Sequence, residues 1–151
     1  AAFTGLAYFM PTVISWASPW VVVEQLGFYL MGSIVGLLVL SVVNVSFTEK
    51  QRTQLRNVIL VGFIVVVIGM IGHFAQVSGM HGVYTSGLVL AEVAMPYAVV
   101  GAICLFATAA LSIVSMKKNA VPFGAASSVL LVIGVFLCRV AFYCMQLGIG
   151  A

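Results

Sequence analysis

Apolar positions in this chain neither alternate with polar ones nor trace a helical stripe; they run on. Long uninterrupted stretches cover residues 20–46, 54–77, 87–115 and 122–148, and short polar segments separate them. A segment that is apolar all round belongs to a buried or membrane-spanning helix rather than a surface helix. Each stretch reaches or exceeds the ~20 residues needed to cross a ~30 Å hydrocarbon core. In lipid every backbone N–H and C=O must be satisfied within the segment, so the four stretches are predicted to be α-helices. Barrel strands would alternate apolar and polar residues, and these runs do not.

Residues 1–19 break the pattern. They begin apolar, then carry Pro11, Thr12, Trp16, Ser18 and Pro19. This reads as the end of a preceding helix, or a re-entrant piece, followed by an outer interfacial loop, with Tyr8, Trp16 and Trp20 at headgroup level, where amphipathic rings are favoured. Residue 1 is Ala, and no basic stretch precedes the first apolar residues as in a signal peptide. The chain is therefore expected to be a mature product or an incomplete one. The organisation predicted is an all-α integral membrane protein: the 1–19 segment, then a bundle of four transmembrane helices over 20–151.

Composition agrees. Of 151 residues, 64% are hydrophobic and 6% charged, against ~25% charged in soluble domains, and mean hydropathy is +1.26. Nine charged side chains cannot cover a soluble domain of this size, and the same figures exclude a disordered chain, a nucleic-acid binder and a disulfide scaffold. Cys104, Cys138 and Cys144 form no C-x-x-C pair and lie in apolar stretches, so they read as small buried hydrophobes.

The charges matter through their placement. Lys50, Arg52 and Arg56 fall in the first connection, 47–56, and Lys117 and Lys118 in the third, 116–119; the second, 78–86, has no Lys or Arg. By the positive-inside rule the first and third connections are cytoplasmic, and the second and the C-terminus are outside. Small residues at helix-packing spacing, Gly32 with Gly36 and Gly87 with Ala91, support close helix association.

An ionisable residue inside a span is costly and marks a candidate site. Glu24, His73, Glu92 and Arg139 qualify, one per span, and counting along each helix puts all four in the outer half. Gln25, Gln76, Gln146 and Tyr143 add polarity to the same layer. One reading is interfacial snorkelling plus a structural ion pair of Arg139 with Glu92 or Glu24. The other is a polar pocket opening from the outer leaflet that accepts a quinol or moves protons, built from Glu24, His73, Gln76, Glu92, Arg139 and Tyr143. A quinol site needs hydrogen-bond partners for the ring oxygens and a proton acceptor. Pro96 removes the helical partner of the Glu92 carbonyl and would kink the third helix. Bis-His haem is not expected, since His81 lies in a loop, and no spacing of His73, His81 and Glu92 supports a metal site.

The fourth stretch carries Val121-Pro122 at its start, and Gly134, Arg139 and Phe142-Tyr143 toward its end. This resembles the last helix of the membrane anchor subunits of the dimethyl sulfoxide reductase family. Met10-Pro11-Thr12 with Trp16, Pro19 and Trp20, and then Gly27-Phe28-Tyr29-Leu30-Met31-Gly32, resemble the loop and start of that family's fifth helix. The likeness maps this chain onto the C-terminal half of an eight-helix subunit. It departs where Val135 stands in place of a Glu four residues before the Arg, and where Gln146 replaces a His of some members. The resemblance implies an anchor in the bacterial inner membrane that oxidises menaquinol and carries no haem. It would pass electrons to an iron–sulfur subunit docked outside, beside a molybdopterin catalytic subunit. Such a chain performs no terminal-substrate chemistry. Two alternatives stay open: a small proton- or ion-coupled transporter or channel using Glu24, Glu92 and Arg139, and a structural assembly subunit without a site. Polarity confined to an outer layer suits a docked electron acceptor better than a transporter, whose polar groups lie near the midplane.

Overall fold

The computed structural model describes residues 15–41, 47–82, 85–118 and 121–146. These hold four α-helices: α1 (Pro19–Ser41), α2 (Glu49–Ser78), α3 (Gly87–Lys118) and α4 (Val121–Cys144). The segments Glu49–Ser78, Gly87–Lys117 and Pro122–Cys144 are each long and apolar enough to cross a membrane. Helix α1 packs beside them; the side chains of 37–41 lie outside the described residues.

Local chemistry sets the helix ends. Ser18 precedes α1 and its Oγ accepts from Trp20 N at 3.3 Å. Pro19 takes the first helical position, where its missing N–H costs nothing. Helix α2 starts at Glu49, five residues before its apolar stretch, so most of the connection expected over 47–56 is helical. The cause is a capping box: Gln51 N donates to Thr48 Oγ1 at 3.4 Å, and Thr48 N donates to Gln51 Oε1 at 2.9 Å. Two orphan donors of the first turn are thereby satisfied. Helix α3 likewise runs on through Met116 and Lys117, leaving only 119–120 between it and α4. Helix α4 ends at Cys144, and the last residues of the span expected to 148 lie outside those described.

The helices associate in two tight pairs, α1 with α2 and α3 with α4, joined by a looser α2–α3 contact and a smaller α1–α4 contact. Glycine makes each tight pair possible. A Cβ on Gly69 would lie 2.7 Å from the Glu24 backbone nitrogen, and one on Gly101 would lie 2.7 Å from Cys138 Sγ and 3.1 Å from Gly134 O. Among the described residues the Gly32/Gly36 pair, expected to support close helix association, makes no close approach. Gly32 meets only Leu131 at 4.0 Å, and among the described residues nothing lies within 4 Å of the Gly36 position.

The distribution of polarity is that of a protein in lipid. Ile71, Phe106, Val132 and Phe136 are more than 60% exposed, while Glu24, His73, Thr108, Ser112 and Ser127 are buried. The buried hydroxyls of Thr108 and Ser127 donate to Cys104 O and Gly124 O within their own helices, as hydroxyls do where no water can reach them. Buried Phe28, Met31, Val66, Met70, Leu105 and Cys138 form the centre of the core. All three cysteines are free thiols, and Cys138 contacts Met70 Sδ at 3.8 Å. Pro96 lies within α3, which continues as one helix from Gly87 to Lys118.

Candidate functional site

Most of the polar candidates meet at the end of the molecule that holds the start of α1 and the ends of α2 and α4. His73 falls on the buried stripe of α2 with Gly62, Val66, Gly69 and Val77, at helical spacing. Its Nε2 lies 3.0 Å from Ser15 O. A carbonyl can only accept, so this nitrogen carries the proton. Three residues on, Gln76 Oε1 accepts from Ser18 Oγ at 2.6 Å. The two bonds tie the 15–18 segment to α2. That segment, expected to belong to an interfacial loop, is a turn in which Ser15 and Ser18 are buried against protein.

Helix α4 closes the cluster with aromatic rings. Trp16 stacks on Phe142 at 5.3 Å between centroids, and Tyr143 meets Trp16 edge-on at 5.7 Å. His73 packs on Phe142 at 5.4 Å, and the Arg139 guanidinium lies 5.6 Å from the same ring. Such offset and cation–π contacts each add to what burial alone supplies. Trp16 is thus held by protein rather than only by headgroups. Glu24, buried on α1 where Gly69 lets the helices touch, lies within electrostatic range of Arg139. Of the two counter-charges open to Arg139 in the sequence, the fold brings Glu24. A buried carboxylate and a guanidinium need each other, because either one alone in a low-dielectric interior carries an uncompensated desolvation cost. Beside Glu24, Gln25 is buried with its Nε2 unpartnered among the described residues.

Glu92 stands apart. It is exposed on α3 and lines a groove of about 470 Å3 between α2 and α3. The walls are apolar, from Met70, Phe74, Leu88, Met95 and Ala98, and Ser78 joins Glu92 as a polar lining residue. The volume lies within the ~300–1,000 Å3 range of small-molecule sites, which pair apolar walls with few polar groups. Its location follows from the packing, since the α2–α3 contact is looser than either glycine-spaced pair.

The six residues read from the sequence therefore divide. Glu24, His73, Gln76, Arg139 and Tyr143 belong to the aromatic-capped cluster, and Glu92 belongs to the groove. Depth along a helix is legible in sequence, but the direction of a side chain around an all-apolar helix is not. Phe142, the ring shared by Trp16, His73 and Arg139, had one available signal: it lies one helical turn after Arg139. His81 is exposed in the α2–α3 connection, in an isolated bridge with Ser86. Among the described residues no three His, Cys, Asp or Glu side chains converge as metal ligands. The chain matches no family model, no curated protein and no solved structure.

Proposed function

We propose that this chain is a four-span membrane anchor of a respiratory molybdenum oxidoreductase in the bacterial inner membrane, and that it oxidises menaquinol in the α2–α3 groove. The observation that supports this best is the groove itself: an apolar slot on the lipid-facing side, with one carboxylate and one hydroxyl among its lining residues. A quinol arrives from the bilayer, so its site must open sideways and admit a prenyl tail between apolar walls. Oxidation removes two electrons and two protons. Glu92 accepts the proton of the ring hydroxyl beside it and releases it at its exposed side, and the proton of the second hydroxyl leaves to water at the open mouth of the groove. Ser78 Oγ, which donates to Ala75 O, keeps lone pairs that can accept from the second hydroxyl. The electrons leave to an iron–sulfur subunit docked at the same end, beside a molybdopterin subunit. The connections 47–56 and 116–119 face the cytoplasm and the C-terminus faces outward.

The cluster around His73 serves a different purpose in this reading. Its groups bond to one another and to the 15–18 backbone, so it fixes the end of the molecule where a partner docks. The assembly-subunit alternative describes that cluster well but leaves the groove unused. A proton path through Glu24, Arg139 and Glu92 is disfavoured by their separation into a buried cluster and an exposed groove.

The reading is tested with a quinol analogue. The analogue should bind the purified complex, and filling the groove by Ala98→Phe should weaken its binding at least about tenfold with assembly intact. Unchanged affinity in that variant would place the quinol elsewhere and sink the reading.

A further inference from the structure

The opposite end of the molecule carries a second, independent site. There the start of α2 and the end of α3 enclose a pocket of about 220 Å3, lined by Glu49, Arg52, Thr53, Arg56, Ile113, Met116 and Lys117. Three of these side chains are cationic and one is anionic, so the pocket carries a net positive charge. Arg52 is fixed in place: its Nη1 donates to Met116 O at 2.7 Å and its Nε to Phe47 O at 3.3 Å. This closes the last turn of α3 onto the first turn of α2. Arg56, one turn further along α2, and Lys117 are exposed, and neither bonds to a described residue. Ile113 and Met116 supply an apolar floor on the side where the helices enter the hydrocarbon.

Cations at the rim and apolar residues toward the membrane are the two halves of a phospholipid site. Basic pockets between transmembrane helices hold anionic headgroups in this way, and a guanidinium suits the planar, forked bonding of a phosphate. We propose that this pocket binds a phosphate group, that of an anionic phospholipid whose acyl chains run down the α2–α3 face. Arg56 and Lys117 meet the phosphate, Arg52 holds the two helix ends at the right separation, and Glu49 limits the affinity by repulsion.

The test is a binding titration of the full chain in detergent, with cardiolipin, with zwitterionic phosphatidylcholine and with inorganic phosphate. Cardiolipin should bind at least tenfold more tightly than phosphatidylcholine. The double variant R56Q/K117Q, altered only at exposed side chains, should bind cardiolipin about 30-fold more weakly. Glu49→Gln should bind it more tightly. Inorganic phosphate should compete only at far higher concentration; competition at equal concentration would assign the site to free phosphate and overturn the lipid. Cardiolipin affinity unchanged in the double variant would overturn the site itself.

Discussion

Arg139 and Glu24 show how a single pair of residues organises one end of this molecule. Glu24 is 3% exposed, and the half-buried Arg139 guanidinium on α4 acts on it electrostatically. Removing Arg139 withdraws that interaction from the buried carboxylate, at a cost below the ~3–5 kcal/mol of a fully buried pair because Arg139 is half-buried, whereas removing both is milder still. Arg139→Leu should therefore lower the unfolding temperature in detergent sharply, and adding Glu24→Leu should restore much of the loss. Thermal unfolding of the two single variants and the double variant measures this coupling. A double variant no more stable than Arg139→Leu would contradict the pairing. Both residues were legible as intramembrane charges from sequence, but the choice of Glu24 over Glu92 was not. Successive helical positions rotate by about 100°, and a helix apolar on all sides gives no reference direction for that rotation.

At the scale of elements, the helices themselves were the most legible feature, because an unbroken apolar run in lipid has no alternative to a helix. Their ends were less so. The cations of 50–56 suggested a loop, yet Thr48 and Gln51 form a capping box that carries α2 back to Glu49. Their pairing was not legible: the G-x-x-x-G spacing of Gly32 and Gly36 supports close association but names no partner. The close crossing is made instead by Gly69, against the backbone of Glu24, and by Gly27, against Val66 and Gly62. Small-residue spacing shows that a face can be approached, not which one is. Gly69→Ala should cost ~1–3 kcal/mol through overpacking, whereas Gly32→Ala, with Leu131 at 4.0 Å, should be nearly neutral. Equal unfolding temperatures for the two variants would contradict the crossing assigned to α1 and α2.

The whole molecule separates three tasks along its length. Exposed apolar side chains such as Ile64, Phe106 and Val132 lie along the middle, as suits a lipid environment. The cluster of His73, Gln76 and Arg139 lies at one end, and the basic pocket of Arg52, Arg56 and Lys117 at the other. The α2–α3 groove opens beside the cluster at the same end, and Glu92 is the one carboxylate among its lining residues. Sequence reasoning found the layer of polar residues and missed this division, which arises only when helices pair tightly on two sides and loosely on a third. We propose that Glu92 accepts protons from quinol in the groove. It is tested most directly by the rate of menaquinol oxidation in the assembled complex carrying Glu92→Gln, beside His73→Ala as a control in the structural cluster. General-base removal should lower turnover about 100-fold at unchanged complex yield, while His73→Ala should reduce yield and leave turnover per assembled complex near the parent value. Full turnover in Glu92→Gln would contradict the account.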